Sequence, residues 1–169
     1  MCSPALERSP SPGSPPAVER DAEHLHEIHD NKFVKRDSLN GQDSLMLTTS
    51  ATVLAGLLGA ALILMGGRAF TTPQAAVGFG IPDTPADHPA FRAWLRVKGL
   101  REIACGVFVF VLMLVATTSL LGWYVMALAA IPAGDAVVVL RSGGPKAAAY
   151  GIHGATAVVM LAASIGLLV

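Results

Sequence analysis

Five ionisable residues interrupt segments that are otherwise apolar. They are Lys98, Arg101 and Glu102 in VKGLREIACGVFVFV, Asp135 in IPAGDAVVVL and His153 in GIHGA. An ion at the centre of a bilayer costs roughly 2.5 to 3.5 kcal/mol on insertion scales, so such residues need partners or a function. Carboxylates, cations and an imidazole together are the groups that general acid–base catalysis uses. The pattern therefore predicts a catalytic cluster if the segments bring these residues together.

Each residue has a role that its chemistry allows. Burial favours the protonated form of a carboxyl group and a neighbouring cation favours the ionised form, so Glu102 and Asp135 are candidates for an acid and a base. His153 would orient a carboxylate or carry a proton. Arg101 or Lys98 would bind an anionic group or stabilise a developing oxyanion. Lys98 is a candidate for substrate binding.

A second substrate-binding candidate is Tyr150. It lies three residues before His153 and therefore shares its face in a regular helix. Lys98, Arg101 and Glu102 share one face by the same three- and four-residue steps.

Ion pairing alone is the alternative explanation of the same residues. Lys98 and Glu102 are one helical turn apart, and Arg101 and Asp135 would form a second pair between helices. His153 would then be a hydrogen-bonded core residue. The sequence leaves the catalytic and the structural interpretation open.

The composition indicates an integral membrane protein. Hydrophobic residues make up 53% of the chain and charged residues 14%, well below the roughly 25% charged residues of soluble proteins. No basic patch with interleaved aromatics is present, so we expect no nucleic-acid partner. Cys2 and Cys105 have no metal-ligand or CxxC spacing, and we expect no cofactor. The lipid bilayer is the expected environment, in a multi-pass arrangement.

Residues 1–45 differ from the rest of the chain. Ser-Pro repeats predict a disordered polar tail. The spacing of His24, His26 and His29 does not place three imidazoles on one helical face, so no metal site is expected. The tail lacks a secretory signal, and the first apolar helix is expected to do the targeting. Translation from Met46 is a further hypothesis, which detection of tail peptides by mass spectrometry would rule out.

The pattern of apolar segments in residues 46–169 predicts an all-α, integral membrane four-helix bundle. The expected spans are about 46–67, 91–116, 120–141 and 146–169, because about 20 apolar residues cross a bilayer. The connector from Phe70 to Pro89 is rich in Pro and Gly and predicts a loop with at most a short helix after Thr72. Small residues at Gly56 and at Gly151 would pack helices within the monomer or in a homo-oligomer.

The charged residues are predicted to share one depth. Glu102, Asp135 and His153 each lie about 22 to 24 Å from the side that holds the Thr117 turn, at 1.5 Å per residue. Charges cannot face lipid cheaply, so they should face the bundle centre. We therefore expect a polar pocket that opens toward the side carrying Arg68 and Arg141.

The segments LRVKGLRE, IPAGDAVVVL and GIHGA, in this order and on these helices, resemble a family of small four-span membrane proteins catalogued as a domain of unknown function. The resemblance covers about Met46 to Val169 and leaves the tail unmatched. It implies a relation to membrane-bound hydrolases of polyene-polyketide pathways, which open epoxides and promote ring closure. By this resemblance the motif residues are Lys98, Arg101, Glu102, Asp135 and His153.

Two functions are consistent with these residues and are kept as hypotheses. In the first, a lipophilic epoxide enters between the helices, one carboxyl group protonates the epoxide oxygen, and the other accepts a proton from water or from a substrate hydroxyl. In the second, the protein is a non-catalytic membrane subunit or a small transporter whose buried charges are structural or relay protons. Loss of turnover in a folded Asp135→Asn variant would favour the first.

Overall fold

The computed structural model describes the backbone of residues 17–169 and the side chains of residues 41–169. All the regular structure described is helical. Helix α1 spans Ala17–Thr71, α2 spans Pro89–Val115, α3 spans Thr118–Arg141 and α4 spans Ala155–Leu168. A 3₁₀ helix at Pro73–Phe79 lies in the connector, and a π-helix at Ala147–Gly154 precedes α4. The predicted all-α class is confirmed.

The helix count differs from the prediction of four. The connector holds the additional 3₁₀ helix, and the fourth segment changes from π to α winding at Ala155. Among the described residues, three segments are long and apolar enough to cross a membrane: Gly41–Thr71, Thr118–Arg141 and Ala147–Leu168. The predicted second span forms α2, but the charges in its first half keep it out of this set. The protein is a multi-pass membrane protein.

The chain divides into two units, with the boundary between Asp43 and Ser44. The start of α1 at Ala17 lies well before Met46, where regular structure was expected to begin. Residues 1–16 of the expected tail, and the side chains of the three tail histidines, lie outside the described residues. The division of the chain at residue 45 stays a prediction. The apolar core, the connector and the ionisable motif residues all belong to the second unit.

The apolar core fills the end of the bundle that holds the turn between α2 and α3. All four α-helices contribute to it. Its buried residues are Ala51, Ala55, Val109, Leu112, Leu121, Val125, Leu128, Ala129, Met160, Ala163 and Leu167. Large apolar side chains such as Leu64, Leu114 and Val158 remain exposed on the outside, as expected for helices that face lipid.

Glycines allow α1 and α2 to pack at very short range. A Cβ atom on Gly106 would lie 2.5 Å from the carbonyl oxygen of Gly59, and one on Gly66 would overlap the carbonyl oxygen of Gly99. Backbones approach this closely only where side chains are absent. These pairs fix the antiparallel register of the two helices. The predicted strip residue Gly56 also packs inside the monomer, against Met113, and a homo-oligomer stays a prediction.

The connector folds back onto the opposite end of α3 and onto the π-helix. Val139, Ala148 and Ala149 form a second buried cluster there, with Phe79 packed against it. Gly80 ends the 3₁₀ helix in the left-handed conformation, at φ 98°. A Cβ atom on this residue would lie 2.7 Å from the Cβ of Ala148. Only glycine fits this site without strain, because its backbone is left-handed and its neighbour is close.

Candidate functional site

A cavity of about 880 Å³ lies between the helices at the end of the bundle that the connector covers. Its walls come from the last turns of α1, the connector, the first half of α2, the second half of α3 and the π-helix. Most of the lining is apolar. The ionisable residues that line it are Arg68, Lys98, Glu102, Asp135 and His153.

Four of the predicted residues meet at this cavity. Lys98 and Glu102 come from α2, Asp135 from α3 and His153 from the π-helix. Helix α3 runs antiparallel to α4, with Gly122 packed against Leu167 and Leu168. This register brings the second half of α3 beside the π-helix. The geometry therefore shows that ionisable groups from separate helices come together, as expected. Their chemical roles stay predictions.

Lys98 and Glu102 form an ion pair one helical turn apart. The side chain of Glu102 is 14% exposed and that of Lys98 is 42% exposed, so solvent or headgroups reach the ammonium group more easily. The ammonium also lies 5.2 Å from the centroid of the Phe79 ring, within the range of a cation–π interaction. Lys98 thus has two partners inside the site.

His153 is buried, with 7% of its surface exposed. Its Nε2 atom lies 2.9 Å from the carbonyl oxygen of Phe79, and the two rings are 4.4 Å apart at an angle of 53°. A carbonyl oxygen only accepts, so Nε2 must carry a proton and donate it. Nδ1 is then the ring nitrogen that remains to accept or release a proton.

Asp135 is partly buried and has no hydrogen bond or ion pair among the described side chains. Lys98 and His153 line the same cavity. Its oxygens are therefore open to a molecule in the cavity.

Two predicted site residues do not reach the cavity. Arg101 is exposed, and within the described residues it makes no ion pair with Asp135. It directly precedes Glu102, so it points about 100° away around the helix. Tyr150 is 60% exposed. The wider π-helix has more residues per turn, so a residue three positions before His153 no longer shares its face.

Sequence reasoning missed the contributions of Phe79 and Arg68. Phe79 supplies both the carbonyl partner of His153 and the ring beside Lys98. A sequence signal existed in the two glycines that flank it, which indicate a tight approach of the backbone. Arg68 was expected only as an interfacial residue, but it lines the cavity.

Asp87 and Cys105 have other surroundings. Asp87 forms an ion pair with Arg92, at 2.8 Å. The carbonyl oxygen of Cys105 accepts a hydrogen bond from Tyr124 at 3.2 Å. Among the described residues, no group of three or more His, Cys, Asp or Glu side chains is arranged to hold a metal ion.

The fold and the site define a small, multi-pass, all-helical membrane protein with a cavity lined by ionisable groups. The chain belongs to the family described as domain of unknown function DUF4267, whose family model matches residues 59–167. The match spans every ionisable residue of the cavity. No curated protein and no solved structure matches the chain.

Proposed function

We propose that this protein is a membrane-embedded acid–base enzyme that opens an epoxide in a lipophilic substrate, either with water or with a hydroxyl group of the substrate itself. The observation that carries the proposal is Asp135, an acidic side chain that lines the cavity together with Lys98 and His153 and is without an ion-pair or hydrogen-bond partner among the described side chains.

The cavity suits a lipophilic molecule. Its volume of about 880 Å³ lies within the range of about 300 to 1,000 Å³ that binds drug-sized ligands. Leu64 and Ile152 line it and are also 70% and 53% exposed. Both residues lie in membrane-length segments. An opening bordered by such residues supports access from the bilayer.

The partners of each group support a division of roles. The ion pair with Lys98 holds Glu102 as a carboxylate, which can accept a proton. Asp135 has no cation bound to it, so it is the group that donates a proton. His153 has Nε2 fixed by Phe79 and Nδ1 available, so it can return the proton between turnovers.

The reaction then runs as one displacement. Asp135 gives its proton to the epoxide oxygen while the carbon–oxygen bond of the epoxide breaks. A water oxygen forms the new bond to carbon, and its proton passes to Glu102. The product is a diol. If a substrate hydroxyl replaces water, the product is a cyclic ether with a new hydroxyl group.

A structural role explains part of the site equally well. The pair of Lys98 with Glu102 and the hydrogen bond of His153 to the connector could only hold the helices together. That explanation leaves Asp135 without a purpose in the cavity. For this reason the catalytic function is the better account.

The test is a single turnover in ¹⁸O-labelled water. Purified protein in phosphatidylcholine nanodiscs is mixed in excess with lipophilic epoxides such as stilbene oxide and methyl 9,10-epoxystearate, beside empty nanodiscs. We expect diol that carries one ¹⁸O atom from the first turnover, because water attacks carbon directly. Unlabelled diol would show that the epoxide is opened by a covalent mechanism in place of the base mechanism. The proposal would be overturned if no epoxide that binds gave a diol and if an epoxide that also carries a hydroxyl group gave no cyclic ether.

A further inference from the structure

Arg68 is the cation of the cavity that the proposed reaction does not use. It lies in the last turn of α1 and lines the cavity. Among the described side chains it has no hydrogen bond or ion pair. Interaction with the helix dipole alone would suit an arginine here, but it would not require the residue to face a cavity.

The register of α1 and α2 places Arg68 and Lys98 at one level. Gly66 packs against Gly99, and the helices are antiparallel, so residue 68 of α1 lies beside residues 97–98 of α2. The two cations therefore face the cavity from different walls. Since Lys98 is paired with Glu102, Arg68 is the one of the two that is left to attract an anion.

The neighbours of Arg68 in the cavity wall are apolar. On α1 they are Leu64, Met65 and Ala69. Glu102 lies one helical turn deeper than Lys98, or about 6 Å along the axis. An anionic group held by Arg68 would thus sit about one turn from the carboxyl groups, with apolar wall around it.

We infer that Arg68 binds a carboxylate of the substrate, and that the substrate is an amphipathic acid whose apolar body fills the cavity. A guanidinium group matches a carboxylate by two parallel hydrogen bonds. The position of the carboxylate near the reacting group rests on the proposed function, whereas its binding to Arg68 does not.

The binding test uses Trp94, which lines the cavity and is one of two tryptophans in the chain. Trp94 is also 72% exposed, so in a Trp123→Phe background 9,10-dibromostearate dissolved in the bilayer quenches part of its fluorescence, and binding in the cavity is read as the saturable part of the quenching. The methyl ester of the probe is the neutral match. Both probes are titrated into protein in phosphatidylcholine nanodiscs. The variants are Arg68→Gln, Arg68→Lys and Arg96→Gln. Arg96 is exposed, as Arg68 is, but it does not line the cavity.

We expect Arg68→Gln to raise the half-saturating concentration of dibromostearate at least about tenfold, as for loss of a charge-assisted hydrogen bond. The ester should bind equally well to all variants, which also shows that the cavity is intact. Arg68→Lys and Arg96→Gln should stay close to the parent. Equal changes for acid and ester, or no change for either, would overturn the inference.

A final arm separates the substrate from a lipid headgroup. Phosphatidylglycerol is added to the nanodiscs at constant probe concentration. Displacement of dibromostearate from the parent would assign Arg68 to lipid phosphate and overturn the inference, whereas retention of the probe supports it. No turnover is measured, so these results do not depend on whether an epoxide is opened.

Discussion

Asp135 and Glu102 have different partners, although both are carboxylic acids on the wall of the same cavity. Glu102 is held by Lys98 on its own helix, whereas Asp135 makes no such contact with any described side chain. Two chemically similar groups in different surroundings are the usual basis for separate acid and base roles in an active site. The difference arises from one residue, Lys98, four positions before Glu102.

Replacement of Glu102 by Gln should lower turnover strongly while changing the free energy of unfolding only slightly. The ion pair involves a lysine that is 42% exposed, so its loss should change the free energy of unfolding by less than about 1 kcal/mol. Turnover should fall by about 100-fold or more, because glutamine cannot accept the proton. Thermal unfolding and epoxide hydrolysis are measured on the same preparation.

Arg101→Gln is the matched control for Glu102→Gln. It changes the preceding residue, which is exposed and does not line the cavity, and it should leave both quantities near the parent values. A Glu102→Gln variant that unfolds far more easily, yet retains turnover per folded molecule, would favour the purely structural role of the ion pair.

The connector is predicted to orient a group of the site, although none of its own side chains acts as an acid or a base in the proposed reaction. Phe79 fixes the protonated nitrogen of His153, and Gly80 lets the chain turn directly against Ala148. The shape of the cavity wall on this side therefore depends on the turn at Gly80.

Replacement of Gly80 by Ala should disturb both stability and turnover. The left-handed backbone costs about 1 to 2 kcal/mol for a residue with a Cβ atom, and this atom would also meet Ala148 at 2.7 Å. We expect a lower unfolding temperature and a slower reaction, measured together. Gly78→Ala, two residues earlier with nothing within 4 Å, should be tolerated. Equal tolerance of both changes would contradict this view of the connector.

Alanine substitutions at the two adjacent glycines of α1, Gly66 and Gly67, should change the free energy of unfolding in opposite directions. Gly66 lies directly against the backbone of Gly99, so alanine there must force the helices apart at a cost of about 1 to 3 kcal/mol. Gly67 has nothing within 4 Å, so alanine should stabilise the helix by up to about 1 kcal/mol. Unfolding in detergent measures both. Similar effects of the two variants would show that α1 and α2 are not in this register.

The sequence predicted the helices and the convergence of charge, because both follow from the cost of placing polar groups in lipid. The sequence pattern predicts which face of a helix turns toward the bundle centre, but not which residues at the edge of that face reach the cavity. It could not separate Arg101 from Glu102, since the choice between adjacent residues depends on the register with α1 that Gly66 and Gly99 set. It did not predict that Tyr150 lies on a different face from His153, because a change from α to π winding does not alter the pattern of apolar residues.

The proposed function depends on helices that are distant in sequence meeting at one cavity. Lys98 and Glu102, Asp135, and His153 come from three different segments, and the connector closes them in. The apolar core at the other end holds the bundle together without contributing a group to the site. Loss of chemistry without loss of fold should therefore be obtainable by changing single cavity residues.

The decisive measurement is the turnover of a lipophilic epoxide by Asp135→Asn, beside the parent and Arg101→Gln, in nanodiscs. Asparagine keeps the shape of the side chain but cannot transfer a proton as a carboxylic acid does. We predict a rate lower by a factor of about 10² to 10⁴, with unchanged thermal unfolding and with Arg101→Gln near the parent. An Asp135→Asn protein that turns over at the parental rate would contradict the assignment of this cavity as an active site.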